Sequence, residues 1–233
     1  MGLGYKHFEI ETIQSSKYPE SPCGDVVGVE RTAAATVVVV SDGIGSGVKA
    51  NIAATLCVSR LLESFRQGFS QRQGFTSLVN TMNKARGTDQ PYAVFTVARI
   101  LNDGSVTVLT YEMPPAIFVG LHHAAPLKQR THTLGHDIIG ESHCHIEPGE
   151  GLILTTDGIT QAGMGLGLVY GWETNGVARY INDRLSQGIK LRDLPRSIHF
   201  HARELWKNSK GDDCSVIGAT CRPGRTVTIM TGP

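Results

Sequence analysis

Several features that place a protein quickly are missing from this sequence. Its five cysteines, Cys23, Cys57, Cys144, Cys214 and Cys221, are odd in number and form no C-x-x-C pair. With no secretory leader at Met1-Gly2-Leu3-Gly4, that usage points to a reduced, cytoplasmic setting and not to a disulfide framework. No apolar run reaches the ~18 residues of a membrane span. The start also lacks the Ser or Thr of a myristoylation signal, since Lys6 holds that position. Charge of either sign is barely in excess. A net +1 and a pI of about 7.7 leave no electrostatic case for nucleic acid or an anionic membrane. There is no internal repeat, low-complexity segment or linker, so the 233 residues read as one domain, 1–233. At 40% hydrophobic and 18% charged, the composition is that of an ordinary globular chain with a core to bury.

What is present is a run of strands and paired helices. Alternation predicts a strand over 7–14, then a turn-rich loop over 15–24 with Pro19 and Pro22. Strands follow over 25–31 and 36–41, and their short connection makes them an antiparallel pair. Helical spacing covers 46–67 and 77–84. A strand over 90–100 meets the hairpin Asn102-Asp103-Gly104 and returns over 106–111. Short strands are expected over 116–119, 127–133, 143–146 and 152–156. A glycine-rich flap spans 164–172, and helices span 174–187 and 191–207. Strands are expected over 214–221 and 227–230, with a turn at 209–211 between helix and strand. Hairpins and helix pairs, without βαβ alternation, argue for antiparallel sheets flanked by helices, an α+β sandwich.

The chemistry centres on Val37 to Ala50, V-V-V-V-S-D-G-I-G-S-G-V-K-A, a buried strand ending in Asp42 and a glycine turn entering a helix. A dinucleotide fold fits poorly. Val48 stands where the fingerprint wants a third small residue, Glu63 falls inside the helix, and Asp42 repels a pyrophosphate. A histidine-kinase-type ATPase needs Asp-x-Gly-x-Gly and an upstream helix bearing Asn, and residues 1–36 read as strands. A metal site draws on more of the chain. Gly24-Asp25, Asp42-Gly43, Asp157-Gly158 and Gly211-Asp212-Asp213 all put acids beside glycine at strand ends. One Asp-Gly is an ordinary solvated turn. Four in matching contexts favour carboxylates gathered around hard cations, Mg²⁺ or Mn²⁺.

P-C-G-D at 22–25, S-D-G-I-G-S-G-x-x-A at 41–50, L-T-T-D-G-I at 154–159 and G-D-D-C-S at 211–215 fall in the order of a known family. Together they resemble the metal-dependent Ser/Thr phosphatases of the PP2C superfamily, in the bacterial branch typified by SpoIIE, RsbU and RsbX. The resemblance implies a four-layer αββα sandwich of two antiparallel sheets with helices outside. It implies two Mn²⁺ or Mg²⁺ ions and the metal ligands Asp25, Asp42, the Gly43 carbonyl, Asp157, Asp212 and Asp213, with Asp212 as the ligating member of its pair. Asp25, Asp42, Asp157 and Asp212 are then the catalytic set. A water bridging ions roughly 3.5–4 Å apart attacks phosphorus in line. None of the cysteines has an arginine six residues on, as a cysteine-dependent phosphatase loop requires. The implied substrate is a phosphorylated regulatory protein of the anti-sigma-factor-antagonist type, and the chain is expected to be free-standing or cut from a longer one. The rival readings are a pseudophosphatase binding module, which four intact acidic motifs oppose, and the ATPase.

Two departures stand out. Ile44 replaces the His of eukaryotic relatives, and 15–25 contains no Arg to grip phosphate. The expectation is that water protonates the leaving oxygen and that the cations hold the phosphate in the main. The flap over 163–171 is expected to touch substrate. Other motifs read as structural. His143 and His145 share one strand face opposite Cys144, two ligands too few for zinc. His122 and His123 form a loop pair, His199 and His201 are packing residues on different helix faces, Cys214 is a buried thiol, and Trp172 and Trp206 are packing anchors.

Overall fold

Val38, Val39 and Val40 are completely buried, which a strand achieves only when both its faces are covered. The computed structural model, which describes residues 5–135, 137–207 and 211–223, shows how. In chain order its elements are β1 Lys6–Ser15, β2 Asp25–Arg31, β3 Ala35–Gly43, α1 Val48–Arg66, α2 Gln71–Ala85, β4 Ala93–Leu101 and β5 Ser105–Tyr111. There follow β6 Ile117–Val119, β7 Ala124–Pro126, β8 Arg130–Leu134, β9 Asp137–His145, β10 Gly151–Thr155 and the single turn α3 Asp157–Thr160. The last are α4 Glu173–Ser186, a 3₁₀ turn Leu191–Asp193, α5 Leu194–Leu205 and β11 Cys214–Pro223.

Two antiparallel sheets result, one ordered β1-β11-β10-β6-β7 and the other β2-β3-β4-β5-β9-β8. Phe8, Val38, Val40, Ile100, Val108, Leu152 and Ile217 fill the space between them. On the outer face of the second sheet, Val37, Val39 and Phe95 pack against Cys57, Leu61 and Phe75 of α1 and α2. On the outer face of the first, Ile153 and Val216 pack against Val177, Ile181 and Ile198 of α4 and α5. This is the expected αββα sandwich.

The differences from the sequence reading have local causes. Helix α2 begins six residues before the expected start, because Ser70 and Gln73 form a capping box that the apolar spacing does not register. The strand expected over 127–133 corresponds to β8, which begins three residues later, and β7 just before it is not among the expected strands because a three-residue strand carries no period to read. Strand β9 begins six residues earlier than expected. Its buried positions include Asp137, Glu141 and Ser142, so the apolar alternation is missing there. The last predicted helix starts at Leu194, after the 3₁₀ turn. The strand expected over 227–230 lies outside the described residues, as do Ser209 and Lys210 of the predicted turn.

Candidate metal centre

Antiparallel pairing puts the start of one strand beside the end of its neighbour, and all four acidic motifs use this. In the second sheet Asp25 opens β2 directly opposite Asp42 near the end of β3. In the first sheet β10 runs out into Thr156-Asp157 just where β11 begins after Asp212-Asp213, with the Thr156 amide donating to the Ser215 carbonyl at 3.2 Å. Two hydroxyl hydrogen bonds to the Asp25 carboxyl join the sheets at this end. The Thr156 hydroxyl donates to Asp25 Oδ2 at 2.8 Å and the Ser215 hydroxyl to the same oxygen at 2.6 Å. The direction of each is set from behind. Thr156 Oγ1 accepts from the Ser215 amide at 3.0 Å, and Ser215 Oγ accepts from the Gln14 side chain at 2.9 Å. Both hydroxyl protons are therefore left for Asp25.

Asp25 Oδ1, by contrast, is buried and receives no hydrogen bond. Burial pushes the Asp25 carboxyl above the usual carboxylate range. The Ser215 and Thr156 hydroxyls oppose that shift, and the Asp213 and Asp157 charges add to it. Asp42 is pushed up further, by burial first and then by the charges of Asp25 and Asp157. Asp157 is also raised, again by burial first, while its hydrogen bond from Asp42 works the other way. Burial and mutual repulsion thus work against full ionisation of the Asp42 and Asp157 pair. The Gln161 amide, one helical turn on, donates to Asp157 Oδ2 at 3.0 Å and fixes that carboxylate from the side.

The last two acids separate in role. Asp213 is buried, and its Oδ1 accepts the Lys17 amide at 2.8 Å. Asp212 is half-exposed and its charge raises both Asp42 and Asp157. Its Oδ1 accepts the Asp213 amide at 2.9 Å. The glycines beside the acids are packing requirements. A Cβ on Gly43 would lie 1.9 Å from the Ala50 carbonyl oxygen, and one on Gly158 would lie 1.9 Å from the Asp213 carbonyl oxygen. Gly45 and Gly47 are the residues that turn through positive φ, at 104° and 69°.

Among the described residues, no three His, Cys, Asp or Glu side chains stand as a ready-made ligand shell. The donor set nevertheless fits a hard divalent cation. All five side chains are carboxylates, one buried oxygen has no donor, and burial with mutual repulsion raises Asp25, Asp42 and Asp157 together, so positive charge is what the cluster needs. The thiols do not compete. Cys214 is buried with its Sγ donating to the Gly158 and Asp212 carbonyls, and burial pushes it up to about 12. Gln14, Lys17, Thr156, Gln161 and Ser215 carry no assigned role in the sequence reading. Thr156 and Ser215 lie inside the quoted motifs, but their hydroxyls take on meaning only when Asp25 arrives from elsewhere in the chain.

The structural readings of the other motifs agree with the fold. His143 and His145 bond Glu141 and Glu147 on the exposed face while Cys144 packs inward. His199 bonds Ser15 Oγ at 2.9 Å, and His201 stacks on Tyr180 beside Trp172. Trp206 is an anchor whose indole donates to the Gly158 carbonyl at 3.0 Å, directly beneath Asp157.

The model of the family "Stage II sporulation protein E (SpoIIE)" matches residues 32–222, beginning after Asp25. None of the curated proteins matches the chain in sequence. Among solved structures, the RsbU and RsbW domains of a Mycobacterium tuberculosis protein superpose with a TM-score of 0.75 at 17% identity, covering 95% of this chain and 62% of that one. The PP2C phosphatase domain of Bacillus subtilis SpoIIE with a fragment of its regulatory domain gives 0.75 at 18%, covering 95% and 65%. The chain therefore spans less than two thirds of either. RsbX in complex with magnesium gives 0.65 at 17%, covering 92% and 96%. At such identities the likeness is one of fold, two antiparallel sheets flanked by helices.

Proposed function

The chain belongs to the SpoIIE family, within the bacterial branch of PP2C-type phosphatases, and on that premise we propose that it is a metal-dependent protein serine/threonine phosphatase acting as one domain. The observation that carries this reading is the gathering of Asp25, Asp42, Asp157 and the Asp212-Asp213 pair at one end of the two sheets, with Asp25 Oδ1 buried and undonated. In this reading Asp25, Asp42, the Gly43 carbonyl, Asp157 and Asp212 hold two Mn²⁺ or Mg²⁺ ions, and Asp213 anchors the 16–24 loop beside them. Such ions, when bound, supply the positive charge that activates water near neutral pH and neutralises phosphoryl oxygens.

The chain's own groups do the rest. Thr156 and Ser215 hold one oxygen of Asp25 so that the other points into the cluster, and Gln161 does the same for Asp157. The ionised forms of Asp42 and Asp157, which burial and mutual repulsion otherwise disfavour, would be favoured by bound cations. No cysteine serves as nucleophile, because Cys214 and Cys23 are held as thiols, each at about 12, chiefly by burial. The substrate is a phosphoserine or phosphothreonine on a bacterial regulatory protein of the anti-sigma-factor-antagonist type. Support for that class comes from the relatives, one of which joins an RsbU to an RsbW domain.

The test is hydrolysis of an aryl phosphate and a phosphoserine peptide with Mn²⁺, with EDTA, and with Asp42→Ala. Turnover should require Mn²⁺ and fall at least ~100-fold in the variant, beyond the range seen for groups that only support a ligand. Activity indifferent to EDTA overturns the mechanism. Inactivity with every cation, with phosphoprotein binding retained, makes the chain a pseudophosphatase.

A further inference from the structure

Lys17 sits at the rim of the acidic cluster on a backbone that cannot drift. Its amide donates to the buried Asp213. The turn around it is closed by the Tyr18 amide on Ser16 Oγ at 3.2 Å and the Ser21 amide on the Tyr18 carbonyl at 2.9 Å. The far end of the same loop is tied to α1 by Asn51, whose side chain donates to the Cys23 carbonyl at 2.7 Å. A Cβ on Gly24 would stand 2.7 Å from Asp213 Oδ2, so the loop lies directly on the last acidic motif. The Lys17 ammonium reaches inward to 3.8 Å from Asp212 Oδ1, with its side chain only 26% exposed. That separation is too long for a hydrogen bond. The Asp212 oxygen already accepts the Asp213 amide. The lysine is drawn toward the acids, yet its three donors are not committed to Asp212.

We propose that Lys17 binds the phosphoryl group of the substrate, an inference that rests on the phosphatase reading and adds a substrate-binding residue to it. Five carboxylates against the four positive charges of a two-ion centre would leave one negative charge, so an incoming phosphomonoester dianion meets repulsion unless a fixed cation stands at the mouth. Lys17 has the placement for this, and a flexible stem with a compact charge suits a phosphate oxygen. Held as a pair with Asp212 alone it would contribute little to stability, because the pair is partly exposed and too long for a hydrogen bond. The cations then hold the phosphate in the main, as expected, and the 16–24 loop supplies one further contact from the chain itself.

The experiment compares wild type, Lys17→Met and Lys17→Arg at saturating Mn²⁺. It reads KM and kcat for an aryl phosphate, the inhibition constant of inorganic phosphate, and Mn²⁺ affinity by calorimetry. Lys17→Met should raise KM and the phosphate constant ~10-fold or more, the weight of one charge-assisted hydrogen bond. Mn²⁺ affinity should stay within about twofold, and Lys17→Arg should recover most of the loss. Lys17→Gln serves as a second neutral variant if Lys17→Met does not fold. Unchanged phosphate constants overturn the proposal, as does an effect that disappears once Mn²⁺ is raised, which would make Lys17 a counter-charge for Asp212. If the wild type hydrolyses nothing, the phosphatase reading fails separately. Calorimetric binding of inorganic phosphate to the Mg²⁺-loaded protein then decides Lys17, and equal binding by wild type and Lys17→Met, or none by either, overturns it.

Discussion

Gly43 follows the acid at the middle of the cluster, and its missing side chain is used twice. In the phosphatase reading its carbonyl faces a cation. Independently, its Cα lies against the first turns of α1, where an added methyl would stand 1.9 Å from the Ala50 carbonyl oxygen and 2.5 Å from its carbon. Neither atom can rotate away, because both are helix backbone. Gly43→Ala should therefore destabilise the EDTA-treated protein by about 3 kcal/mol, the upper part of the range for overpacking. Gly45→Ala has open space but a φ of 104°, and should lose only about 1–2 kcal/mol. Urea unfolding of the two variants checks this, and equal losses would mean that turn conformation, and not the approach of α1, decides the residue. The acids at this scale were legible in the sequence because each is written into a local strand-acid-glycine context. Their supports were not. Thr156 and Ser215 lie 131 and 190 residues from Asp25, so nothing local marks a threonine or serine as the donor that orients a carboxylate.

Among the elements, α2 shows how one end of the second sheet is held. Its C-terminal Arg86 caps the helix, and one guanidinium nitrogen lies 2.6 Å from the Tyr92 hydroxyl, 3.0 Å from Tyr111, 2.5 Å from Glu112 and 3.2 Å from Asp137. Asn83, on the last turn of the same helix, also donates to Asp137. The network closes the 86–92 connection onto β4, β5 and β9. Tyr92 in turn accepts the Ile44 amide on its carbonyl at 3.0 Å, which fixes the residue after Asp42-Gly43. Arg86→Ala leaves the buried Asp137 without its cation and should lower stability by about 2 kcal/mol, discounted for the half-exposed arginine. A cycle with Asp137→Asn should give a coupling of about 1 kcal/mol in urea unfolding. Strict additivity would show that the two side chains act separately. The helices were legible as elements from their apolar spacing. The network was not, because it joins side chains from α2, the loop before β4, β5 and β9, which become neighbours only after folding.

For the whole molecule, hairpins and helix pairs are local and announce an α+β sandwich, but the closing step is not local. Strand β1 pairs with β11 along its full length, from Lys6 opposite Pro223 to Ser15 opposite Cys214, and no pattern in either strand names the other. That closure brings Ser215 and Asp213 to Asp25 and so assembles the acidic cluster from both ends of the chain. Its electrostatic consequence is global. Asp25, Asp42 and Asp157 are all raised, burial being the largest cause in each. Between the carboxylate pKa of the unfolded chain, about 4, and the higher folded values, the native state binds more protons than the unfolded state. The contribution of these groups is therefore at its full value below the unfolded pKa and is lost as pH rises through the folded values. His199 acts in the opposite sense. Burial and then Arg203 lower its pKa, so its contribution is present above the unfolded value and is lost as pH falls. In EDTA, thermal unfolding should show the midpoint dropping from pH 6.5 to pH 9, by an amount equivalent to at least ~1.4 kcal/mol, one pKa unit on one group. Mn²⁺ should flatten or reverse that slope, because the cations take the place of the protons. The double variant Asp25→Asn, Asp42→Asn should lose most of both effects, keeping only what Asp157 contributes. A midpoint in EDTA that is level across this range would show that the acids are ionised without a cation and that the cluster is not the strained assembly its burial implies.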